Sequence, residues 1–101
     1  MSELLKLQSE NLKHYGVQFQ LRKLQEECGE LIVSINHFFE GKINQSILLS
    51  EMADVENVLD QMRIYFGDEE IDCLKIQKMT RQRDRRKVKE FEAGVKIENG
   101  I

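Results

Sequence analysis

The chain has 101 residues, of which 41% are hydrophobic and 33% charged, with no Trp and no Pro. That length holds one small domain, and the apolar fraction is too high for a disordered chain. The net charge of −3 is mild but uneven: residues 1–67 carry ten acids and six bases, whereas residues 75–89 carry eight bases and one acid, Asp84.

A uniformly basic protein would point to nucleic acid, but an acidic body with a basic final segment suggests a metal site beside a phosphate-binding surface. No apolar run approaches the roughly 20 residues of a membrane span. The start, MSELLKLQSE, lacks the basic-then-apolar pattern of a secretory leader. Two cysteines, Cys28 and Cys73, are too few for a disulfide framework. A cytoplasmic protein with reduced thiols and no membrane partner is therefore expected. Such a short chain also buries a modest share of its surface, which favours oligomerisation.

Glycines at 16, 41 and 67 divide the chain into four helical pieces. The first, Ser2 to His14, is a short amphipathic helix with Leu4, Leu5, Leu7 and Leu12 and with Ser2 as N-cap. The second, about Val17 to Glu40, places Leu24, Cys28, Leu31, Ile35 and Phe38 at alternating spacings of four and three, which predicts a seam against another helix. The third, about Asn44 to Phe66, has a wide apolar stripe from Ile47 to Phe66, with Asn44 or Ser46 as its cap. The fourth, about Asp68 to Phe91, begins acidic and turns basic, which suits the helix dipole. The predicted architecture is all-α: a four-helix protomer around a central antiparallel helical hairpin. Residues 1–93 form one domain, and residues 94–101 are a flexible tail.

The second and third pieces carry the chemistry. Glu27 and Glu30 stand at i and i+3 in LQEECGEL, and so do Glu51 and Asp54 in SEMADVEN, so each pair shares a helix surface. In an antiparallel hairpin, residues at one height have a constant sum of residue numbers. Glu27 with Asp54 and Glu30 with Glu51 have the same sum, and it centres the turn beside Gly41. Glu51 also falls about 40° from Val55, inside the apolar stripe. Carboxylates at a seam are unfavourable unless paired or bound to metal. Four facing one another take up protons unless a cation intervenes. A hard divalent ion with oxygen ligands is the natural solution, Mg²⁺ first, with Mn²⁺ as a substitute.

This double motif, Glu26-Glu27-Cys28-Gly29-Glu30-Leu31 and then Glu51-Met52-Ala53-Asp54-Val55, resembles the MazG-like family of all-α nucleoside triphosphate pyrophosphohydrolases, over roughly residues 18 to 85. The small single-domain form looks like the phage and mobile-element members. The resemblance implies hydrolysis of a nucleoside triphosphate between its α- and β-phosphates. It assigns the metal to Glu27, Glu30, Glu51 and Asp54, and catalytic roles to Glu26 and Glu27, with Glu26 orienting or activating the attacking water. It implies a homodimer or tetramer and phosphate binding by the last helix, here Lys78, Arg81 and Arg85. Phosphoribosyl-ATP pyrophosphatase shares the fold and the bond cleaved. For the nucleobase, His14, Tyr15, Gln18, Phe19, Gln20 and Asn57 are candidates by their proximity to the motifs, and the sequence does not choose among them.

Two other classes compete. A nucleotide-binding regulatory protein with the same fold predicts nucleotide-dependent stabilisation without pyrophosphate. A nucleic-acid-binding dimer using residues 75–89 needs a helix-turn-helix spacing or an aromatic platform beside the basic run, and the sequence offers neither.

Overall fold

The computed structural model describes residues 1–94 of the chain. It contains four helices in chain order, α1 (Glu3–Tyr15), α2 (Val17–Phe39), α3 (Gln45–Phe66) and α4 (Glu69–Glu92), and no strand among the described residues. Every predicted helix is present, with ends within one or two residues of those expected. Residues 95–101, most of the expected tail, lie outside the described residues.

The caps follow local chemistry. Ser2 Oγ accepts from the Leu5 amide at 3.1 Å, and Asn44 Oδ1 accepts from the Ile47 amide at 3.0 Å. Each side chain satisfies an amide that the first turn leaves without a helical partner. Gly16 and Gly67 end α1 and α3 at φ +88° and +92°, where a side chain is strained.

The chain divides into two compact units, Met1–Gly67 and the segment from Asp68 onward. In the first unit α2 and α3 make the most extensive contact, and α1 packs against both. The buried apolar core is small: Val55, Val58 and Met62, all on α3. Full burial of such side chains stabilises by roughly 1.5–3 kcal/mol each. Five polar residues are buried as well: Gln8, Gln20, Glu27, Ser34 and Gln61.

That list corrects the predicted seam of α2. The most buried row is Gln20, Leu24, Glu27, Leu31 and Ser34; of the predicted seam, Leu24, Leu31 and Ile35 are half-buried, while Cys28 and Phe38 are exposed. The apolar row and the inward row are adjacent, about 100° apart at Cys28 and Glu27. Polar pairing decides between them: Gln20 is hydrogen-bonded to Gln61 on α3, and Glu27 faces the carboxylates of α3.

The stripe of α3 is likewise only partly covered, since Ile47, Met52, Leu59, Tyr65 and Phe66 remain exposed. In the second unit, α4 opens with Glu69, Glu70 and Asp72 in its first turn and buries no residue. No helix among the described residues is long and apolar enough to cross a membrane.

Candidate metal centre

Glu27, Glu51 and Asp54 each bring a carboxylate oxygen to a common point, all within 4.8 Å of one another. The three grade from buried Glu27 through half-buried Glu51 to exposed Asp54. Among the described residues, Glu27 Oε2 and Glu51 Oε2 are buried without a hydrogen-bond partner. A buried carboxylate oxygen without a donor is unfavourable, and a hard cation with oxygen ligands resolves this for several at once. The donor set therefore fits a divalent ion.

Glu27 is the pivot. Only 7% of its surface is exposed. Its Oε1 lies 3.4 Å from Lys23 Nζ, which also lies 3.5 Å from Glu26 Oε1. Burial raises the Glu27 proton affinity above the ordinary carboxylate value, with Glu30 and Asp54 adding repulsion and Lys23 opposing. The Lys23 ammonium in turn holds its proton more tightly than usual, chiefly through the charge of Glu26 and its bond to Glu27.

Three of the four predicted metal ligands thus converge. Glu30 is exposed and lies outside the triad, close enough to raise the Glu27 proton affinity, and it shares a shallow groove with Glu51. Glu26 is exposed, paired with Lys23, and sits on the rim of a cleft.

That cleft, of about 370 Å³, runs past Glu27 and Asp54 to Lys23, and its other lining includes Tyr15 and Phe19. The Tyr15 and Phe19 rings stack, with centroids 5.0 Å apart and planes 15° from parallel. Both rings are about half exposed. Of the base-binding candidates, Tyr15, Phe19, Gln20 and Asn57 line this cleft. His14 packs edge-on to Tyr15 at 4.6 Å, and Gln18 lines a different cavity.

Lys78, Arg81 and Arg85 lie on α4, in the second unit, at i, i+3 and i+7, so they share one helix face. All three are exposed. Cys28 and Cys73 are both exposed free thiols.

Sequence reasoning gave no role to Lys23, Asn11 or Gln61, although all three line the cleft. The available signal was four residues of spacing between Lys23 and Glu27, and a glutamine at 61 between Val58 and Met62.

No family model, curated protein or solved structure matches the chain.

Proposed function

We propose that this chain is a Mg²⁺-dependent nucleoside triphosphate pyrophosphohydrolase of the MazG-like kind, cleaving between the α- and β-phosphates to release a monophosphate and pyrophosphate. One observation carries the reading: two buried oxygens without hydrogen-bond partners, on Glu27 and Glu51, within a triad of carboxylates from two helices. The double motif that resembles the family supplies those same residues. A site lined on one side by acids and on the other by an aromatic pair suits a nucleotide whose phosphates meet the metal end.

Glu27, Glu51 and Asp54 hold the ion, with Glu30 completing the set or serving a second ion beside Glu51. A bound divalent ion neutralises phosphate charge and lowers the pKa of a coordinated water. Glu26, exposed on the rim of the cleft, orients the attacking water, and the pair to Lys23 keeps its carboxylate turned toward that end. Lys78, Arg81 and Arg85 take the phosphates, Arg through paired N–H groups and Lys as a point charge.

In this reading α2 and α3 form an antiparallel hairpin across the five-residue connection from Glu40 to Asn44. The protomer assembles into a homo-oligomer, in keeping with the exposed Ile47, Leu59 and Phe66 of α3. Nucleotide-pool cleaning in the cytoplasm is the role that fits best.

Product analysis tests the reading. The purified chain is incubated with a panel of NTPs and dNTPs, with Mg²⁺ or with EDTA. Metal-dependent monophosphate and pyrophosphate are expected. Diphosphate with orthophosphate would mean a different bond is cut, and nucleotide-dependent stabilisation without any product would make the chain a binding protein.

A further inference from the structure

The far end of the cleft is built from a network of side-chain amides whose orientations are fixed by groups that can only accept. Gln8 Nε2 donates to Asp60 Oδ2 at 2.9 Å, and a carboxylate returns no proton, so Gln8 must present its nitrogen there. That same nitrogen lies 3.1 Å from the Asn57 amide, which therefore answers with Oδ1. The Asn57 NH₂ group is left facing away from Gln8, on an exposed residue that lines the cleft.

A second chain of logic runs through Gln61. Its Nε2 donates to the Asn57 backbone carbonyl at 3.1 Å, so its Oε1 is the atom that meets its other neighbours. Gln20 Nε2 reaches that oxygen at 2.7 Å and Asn11 Nδ2 at 3.2 Å. Asn11, also on the cleft wall, has then used its amide nitrogen toward Gln61 and keeps Oδ1 as its acceptor. Gln8, Gln20 and Gln61 are each at most 6% exposed, so a reversal of any of these amides would strand a buried donor against a donor.

The network thus leaves an NH₂ group on Asn57 and an Oδ1 on Asn11, and both residues line the cleft with the stacked rings of Tyr15 and Phe19. We infer that this end of the cleft is a base subsite that selects the keto edge of a nucleobase, a ring carbonyl next to a ring N–H, as in uracil, thymine or guanine. The carbonyl accepts from Asn57, the ring N–H donates to Asn11 Oδ1, and the ring lies on the exposed aromatic pair. The amino edge of cytosine or adenine reverses both roles, setting donor against donor and lone pair against lone pair. The inference rests on the proposed nucleotide site and adds the class of base it takes.

The test is calorimetric binding of non-hydrolysable α,β-methylene analogues of UTP, GTP, CTP and ATP to the full chain with Mg²⁺. A separate titration with Mg²⁺ alone reads the metal site. The keto analogues are expected to bind about 10- to 100-fold more tightly than the amino ones, the range of one good bidentate base contact. Asn57→Asp keeps an acceptor toward Gln8 and replaces the cleft donor with a second acceptor, so it shifts the preference toward CTP and ATP. Asn57→Ala reduces the discrimination to the part that Asn11 supplies, and Phe19→Ala weakens all four alike with their ratio unchanged.

Equal affinity for the four analogues, or a ratio unmoved by both Asn57 variants, overturns the subsite. So does Mg²⁺ binding without any binding of the analogues. Base discrimination without turnover upholds the subsite and sinks the hydrolase reading instead.

Discussion

Glu27 sets one carboxylate oxygen 3.4 Å from the Lys23 ammonium and keeps the other buried without a hydrogen-bond partner. The two halves of one group therefore have different surroundings. Lys23 compensates one oxygen, and the group also brings a carboxylate oxygen within 4.8 Å of ones on Glu51 and Asp54. Burial and repulsion outweigh the lysine, and the group binds its proton more tightly than a free carboxylate.

That balance has a defined sign in the pH dependence of stability. The ordinary value is 4.5, and the folded value lies above it. Between the two, the native state keeps a proton that the unfolded chain has released, so the contribution of Glu27 is full below 4.5 and is lost as pH rises through the folded value. In EDTA, Tm is expected to fall across that window more steeply for the wild type than for Glu27→Gln. Mg²⁺ added at neutral pH raises the wild-type Tm, because it binds the folded state alone. Calorimetry of both proteins checks this, and identical pH slopes would remove Glu27 from the account.

Glu51→Gln separates stability from function. The substitution removes a charge from a cluster of like charges and keeps the shape of the side chain. The metal-free protein is expected to gain on the order of 1 kcal/mol in urea denaturation, because a half-buried charge among like charges is removed. Stabilisation by Mg²⁺ is lost, and turnover falls at least about 100-fold. Full activity in this variant would take Glu51 out of the site.

The amide network predicts strong non-additivity. Gln20→Leu leaves Gln61 Oε1 with one donor fewer and is expected to cost about 1–3 kcal/mol. Gln61→Leu strands donors on both Gln20 and Asn11 and costs more. In the double variant the pair becomes apolar on both sides, and the loss is expected to be well short of the sum. A double-mutant cycle by urea denaturation measures the coupling, and additive losses would mean that the 2.7 Å bond contributes little.

Much of this was legible in the sequence because it is periodic or local. Four helices follow from glycine punctuation and spacing, and the Ser2 and Asn44 caps follow from one hydrogen bond each. The level pairing of Glu27 with Asp54 needed only the sum rule for a hairpin. Lys23 and the amides of Gln8, Asn11 and Gln61 were not legible, for a physical reason. A glutamine scores as polar at any position, and its burial shows only when three helices bring Gln8, Gln20 and Gln61 together. On α2 the sequence pattern finds Leu24 and Leu31 but takes Cys28 for Glu27, because hydrophobicity alone favours the cysteine. Glu51 was the useful exception: a charge inside an apolar stripe is a local contradiction, and such contradictions mark function.

The proposed phosphate-binding role of α4 yields the last prediction. Lys78, Arg81 and Arg85 share a face of α4, and all three are exposed. If they meet the phosphates, Lys78→Ala removes a point charge from the substrate and none from the metal. KM for the triphosphate is expected to rise about tenfold, equivalent to roughly 1.4 kcal/mol, while the Mg²⁺ concentration for half-activation stays unchanged. Arg81→Ala has the larger effect, because a guanidinium contributes two directed N–H groups. Lys restores charge at position 81 without the fork, so Arg81→Lys falls between the two. Steady-state kinetics at fixed Mg²⁺, repeated across a Mg²⁺ series, separates the two affinities. Equal losses in both would place these side chains on the metal's side of the reaction, and no loss in either would return α4 to a merely solvated basic face.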